Sequence, residues 1–137
     1  MLVQVDGLTE SAGGVVSVEV RTSVGTVTAR WCGDTKATPG EHHVEWTLDE
    51  EFHWGLNCFP ATAEAPQVRQ DERAVVFRGR LSLDDDRVEP GKPWANLALG
   101  EALIMLGSVE ALPEGVAGSC VEVHVAQENV QVYRYLV

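Results

Sequence analysis

The chain has 137 residues, 45% of them hydrophobic, with 21 acidic against 10 basic side chains and a formal charge of −11. That length and composition suit one ordinary domain, or two very small lobes sharing a core. A field of this sign disfavours nucleic acid and anionic membranes as partners and draws in a basic protein.

Leu2-Val3-Gln4-Val5 opens the chain as a short strand before the turn-like Asp6-Gly7, and Ser11-Ala12-Gly13-Gly14 breaks it. Val16, Val18 and Val20 then alternate with polar residues. Beyond Ser23-Val24-Gly25, so do Val27, Ala29 and Trp31. This β-branched pair with glycine in its loop predicts a hairpin. Residues 33–40 collect turn formers and end in Pro-Gly, which predicts a surface loop.

Val44, Trp46 and Leu48 alternate next, pass through Asp49-Glu50-Glu51, and are followed by Phe52 and Trp54. A close variant returns at the end of the chain, where Val121, Val123 and Val125 pass through a Glu128-bearing link to Val130 and Val132. Each reads as strand, tight connection, returning strand. The repetition divides the chain into lobes at 1–60 and 73–137. Residues 61–72, flanked by Pro60 and interrupted by Pro66, read as the linker between them.

In the second half Val75, Phe77, Gly79, Leu81 and Leu83 share one face of a strand that Asp84-Asp85-Asp86 should end. Residues 94–106 fit a short helix starting after Pro93, but Leu97/Leu99 and Leu103/Met105 alternate around Gly100-Glu101, which favours two strands. Seven or eight strands at short spacing predict an all-β fold, a compact antiparallel barrel or a barrel-like pair of curled sheets.

Residues 119–132, from Ser119-Cys120-Val121-Glu122-Val123 through Glu128-Asn129-Val130-Gln131-Val132, resemble the closing strand-turn-strand of OB-fold barrels, in particular the TOBE modules of transport ATPases. That resemblance implies a barrel.

The densest set of potential ligands is His42, His43, Glu45, His53 and Cys58, with Cys32 upstream. On a strand His43 and Glu45 share one side, and His53 on a returning strand would complete a metal-dependent catalytic cluster. No closed zinc spacing accompanies them, so no metal or cofactor is expected. There is no G-x-S-x-G, and the acidic runs 49–51 and 84–86 read as solvated turns. Three widely spaced cysteines, no basic leader and no long apolar run predict a soluble cytoplasmic protein with reduced thiols.

Four tryptophans remain. Trp46 belongs to the core, whereas Trp54, at a strand end with Phe59 nearby, is the aromatic best placed for an interface. With Asp49, Glu50 and Glu51 beside it, this edge predicts a binding surface for a basic protein, as in an inhibitor, immunity or accessory protein. The rival readings are a small-ligand-binding barrel, the metal-dependent enzyme, and a self-associating structural subunit, a homo-oligomer that no residue pattern specifically indicates.

Overall fold

The computed structural model describes residues 1–33, 36–89 and 92–135. The protein is all-β, with twelve strand segments among the described residues where the sequence suggested seven or eight. Five of them, β1 (Leu2–Glu10), β2 (Val16–Thr22), β3 (Gly25–Cys32), β12 (Val130–Arg134) and β4 (Gly40–Leu48), close a barrel in that order. The others are β5 (Phe52–His53), β6 (Cys58–Pro60), β7 (Gln67–Asp71), β8 (Ala74–Glu89), β9 (Lys92–Leu99), β10 (Ala102–Glu110) and β11 (Cys120–Ala126). They form a second sheet in the order β5-β10-β9-β8-β11-β6, with β7 on β8. A bridge between Trp54 and Cys58 links its two ends, so this sheet is nearly closed as well.

The predicted hairpin is β2–β3, with Val18 opposite Ala29 and Val20 opposite Val27, all four buried. The strands favoured over a helix are β9 and β10, paired across the Gly100-Glu101 turn. Other expectations are corrected. β1 runs on through Asp6-Gly7, because a bulge between Asp6 and Thr9 absorbs the irregularity and lets pairing with β2 continue. Residues 67–71 of the expected linker form β7, which pairs with β8 around a turn where Glu72 takes φ 53°. β8 continues through Asp84 to Glu89 instead of ending in an acidic turn, since Asp84 is still paired, opposite Trp94; the side chains of Asp85 and Asp86, and residues Asp34 and Thr35 of the loop at 33–40, lie outside the described residues.

The largest correction concerns the repeated stretch. Neither copy folds back on itself. β4 pairs with β1 and β12, and the chain then crosses into the second sheet as β5, which lies parallel to β10. β11 pairs with β6 and β8 and crosses the other way into β12, parallel to β3. The expected strand-turn-strand at 119–132 is therefore split between two sheets, and strand pairing does not follow a division at 61–72.

The faces are as the alternation required. Val44, Trp46, Leu48, Val121, Val123 and Val125 are all buried, and Glu45 is exposed. Both barrels contribute to one continuous core, and the Trp46 ring meets Phe77 of β8 edge-on at 5.6 Å. Gly79 has a specific reason to lack a side chain: a Cβ there would lie 2.2 Å from the Ala98 carbonyl oxygen of β9.

Candidate functional site

The two crossings lie side by side and Glu50 ties them together. Its Oε1 accepts hydrogen bonds from the Ala126 amide at 2.8 Å and from Asn129 Nδ2 at 3.1 Å, while the Asp49 amide donates to the Asn129 carbonyl at 2.9 Å. Asn57 braces the same corner, accepting from the His53 amide and donating to the Glu51 carbonyl, both at 2.9 Å. Glu50 is thus a structural acceptor, and only Asp49 and Glu51 of the acidic turn stand exposed.

The cleft lined by Glu50 and Glu51 includes neither Trp54 nor Phe59. Trp54 is half-buried, packed on the core, and lines a cleft with Pro60, Arg80, Val116 and Cys120. Phe59 meets His124 edge-on at 5.2 Å. The cleft lined by Glu50 and Glu51 takes in Phe52 and Trp94 as its aromatic groups, together with His53 and Glu110.

The His43, Glu45 and His53 grouping is not assembled. β4 and β5 belong to different sheets, so His43 sits near Tyr135, with ring centroids 6.1 Å apart, while His53 Nδ1 lies 3.1 Å from Glu110 Oε2. His42 faces inward, its Nε2 2.7 Å from the Thr38 carbonyl oxygen and its ring edge-on to Trp31. Among the described residues no group of three or more His, Cys, Asp or Glu side chains is placed to hold a metal ion. Burial in an apolar setting pushes the Cys58 thiol up to about 11, which keeps it protonated and unreactive.

A feature the sequence did not single out lies on β10. Its outward residues are Leu103 and Met105, in line with exposed Glu101 of the preceding turn, then Ser108 and Glu110, because a bulge between Met105 and Gly107 shifts the alternation by one residue. Leu103 is 65% exposed and Met105 58%, high values for large apolar side chains on a strand. Two clefts follow this face: one of about 290 Å³ between β10 and β4, bordered by Glu45, Glu101 and Tyr135, and one of about 320 Å³ bordered by Glu50, Glu51, His53, Trp94 and Glu110. Among the described residues five glutamates and no lysine or arginine line the pair. The missed signal was available in Ala102-Leu103-Ile104-Met105-Leu106, which is apolar on both phases of the alternation.

On another side of the protein Glu122 carries a different kind of charge cluster. β7, β8 and β11 align Gln67, Arg78 and Glu122 in one row. Arg78 Nε reaches Glu122 at 2.9 Å and Arg69 does so at 3.2 Å. Partial burial pushes the Glu122 carboxyl up, but the hydrogen bonds and charge of the two guanidinium groups outweigh it and hold the group below its ordinary value.

No family model, curated protein or solved structure matches this chain. No helix among the described residues is long and apolar enough to cross a membrane.

Proposed function

We propose that this protein is a non-enzymatic binding protein for a basic protein partner, an inhibitor, immunity or accessory protein, which it engages along the outward face of β10. The observation that carries this reading is the pairing of exposed Leu103 and Met105 with the glutamates that border them. Apolar side chains at the centre of a contact supply the free energy of desolvation, and a charged rim supplies orientation and speed. Lysine and arginine on the partner would meet Glu45, Glu51 and Glu101, while the overall charge of −11 steers the encounter from a distance. We assign the protein to the cytoplasm, a reading supported by its three free cysteines.

The test begins with capture of partners from the native extract and identification by mass, followed by kinetics on the purified pair. A basic partner is expected, with an association rate that falls several-fold as salt shortens the Debye length from about 10 Å to about 3 Å. Glu51→Gln with Glu101→Gln should slow association, and Leu103→Ser with Met105→Ser should mainly speed dissociation. Kinetics indifferent to salt and to both pairs of changes would remove this reading.

A further inference from the structure

A second cleft, sharing no residue with the β10 face, lies where the outward side of β2–β3 meets the second crossing. It has a volume of about 320 Å³ and is bordered by Arg30 on β3, Arg73 in the β7–β8 turn, Glu128 of the short 3₁₀ turn (Gln127–Asn129), and Ser17 and Thr28. Its frame is held by Gln70, whose Oε1 accepts from the Thr28 amide at 3.2 Å and whose Nε2 donates to Gln127 Oε1 at 2.9 Å. The Gln127 amide donates in turn to the Arg73 carbonyl at 2.8 Å.

With 21 acidic side chains available, Arg21, Arg69 and Arg78 each find a carboxylate. Among the described residues Arg30 and Arg73, like Arg80 and Arg134, find none, and Glu128 of the same cleft pairs with neither of the two arginines beside it. Two cations and one anion therefore face a shared space without neutralising one another. That space is of the size used for small molecules.

We infer that this cleft binds a small zwitterion of the α-amino acid class, its carboxylate taken by Arg30 and Arg73 and its ammonium by Glu128. A guanidinium presents a planar fork that matches a carboxylate, and a second one adds charge without needing to move. Two considerations favour a zwitterion over a plain anion. Glu128 would repel an anion at short range, and the net charge of −11 repels one at long range, whereas a ligand of zero net charge meets neither penalty. Val15, half-buried at the cleft's edge, supplies an apolar wall that suits a modest aliphatic side chain.

The test is a titration of the isotopically labelled full chain, followed by amide NMR. The probes are L-alanine, L-valine and L-leucine, each beside its deaminated acid and its decarboxylated amine, with inorganic phosphate as a further probe. At least one amino acid should give saturable shifts at Ser17, Thr28 and Gln127, and its deaminated and decarboxylated analogues should each bind roughly tenfold more weakly or worse. Arg30→Gln and Arg73→Gln should weaken the amino acid to a similar degree. Glu128→Gln should weaken it while letting the deaminated acid, freed from the repulsion, bind more tightly than it does to the unaltered protein. The comparison among ligands uses the unaltered protein, so it stands even if a variant folds poorly. No saturable shift with any of the three amino acids, shifts unchanged in the arginine variants, or phosphate binding more tightly than all three would overturn the inference.

Discussion

In the first crossing, at residues 49–51, the glutamate at the middle turns inward and binds the Ala126 amide and the Asn129 side chain; in the second, Gln127–Asn129, the middle glutamate stays exposed beside Arg30 and Arg73. Both follow a Val-Glu strand with three buried residues at alternate positions. Both carry the chain from one barrel to the other, in opposite directions. The difference shows that a repeated pattern sets which side chains of a strand face inward and where the strand stops. It does not set which strand comes next to it, or what the connecting residues touch.

The largest effect that separates the two copies should come from their middle buried residues. Trp46→Ala removes a ring that bridges the barrels through Phe77 and is expected to cost about 3–5 kcal/mol, against roughly 2 kcal/mol for Val123→Ala at the corresponding place. Denaturant titration of the two variants measures this directly, and equal losses would mean that the Trp46–Phe77 contact adds nothing across the junction. Within the first crossing, Glu50→Ala leaves the Ala126 amide without its acceptor and should cost about 1–3 kcal/mol. Its exposed neighbour gives the baseline: Glu51→Ala should stay within about 0.5 kcal/mol. A Glu50 variant as mild as the Glu51 variant would show that the crossings are not braced by this carboxylate.

The smallest and most specific effect concerns pH, and contrasts Glu45 with Glu122, the glutamates that follow Val44 and Val121. Glu122 has its carboxyl held low in the folded protein by Arg69 and Arg78, so its ionised form favours folding at pH values above the ordinary carboxylate range. That contribution is lost as pH falls through the lowered folded-state value. The melting-temperature gap between the unaltered protein and Glu122→Gln should therefore be widest near neutrality and shrink in acid. Glu45→Gln, at an exposed position with no ion pair among the described residues, should give a gap that stays small throughout. A Glu122→Gln gap that is constant with pH would separate the guanidinium pair from any role in stability.

Much of the fold could be read from the residues, and the failures have physical causes. The β2–β3 hairpin and the inward faces of β4 and β11 were legible because β-branched residues alternate cleanly there with polar ones. β7 was missed because Gln67-Val68-Arg69-Gln70-Asp71 has a single apolar residue, Val68, which is buried where the strand meets the β2–β3 turn. At that meeting a Cβ on Gly25 would fall 1.8 Å from the Val68 carbonyl oxygen, a close approach that depends on residues 43 positions apart and leaves no local trace. The outward face of β10 was misjudged for the opposite reason. With both phases of the alternation apolar, Leu103 and Met105 could not be told from Ile104 and Leu106, which are the buried pair. Of the expected interface, the exposure of Asp49 and Glu51 was legible, but that Trp54 lines a different cleft from Glu51 was not, because the clefts form only once the crossing pairs β5 with β10.

The insertion of β12 between β3 and β4 also sets an order of events during synthesis. When the ribosome has released β1 to β4, the facing edges of β3 and β4 still lack the strand that joins them, and their unpaired amides and carbonyls remain open to other chains. Closure waits until residues 130–134 emerge, more than 80 residues after Leu48. The barrel begun by β1 to β4 is thus completed only by a strand far downstream of them. A nascent chain halted before Val130 would expose a sheet edge on each side of that gap, the kind of unpaired edge that other chains can add to.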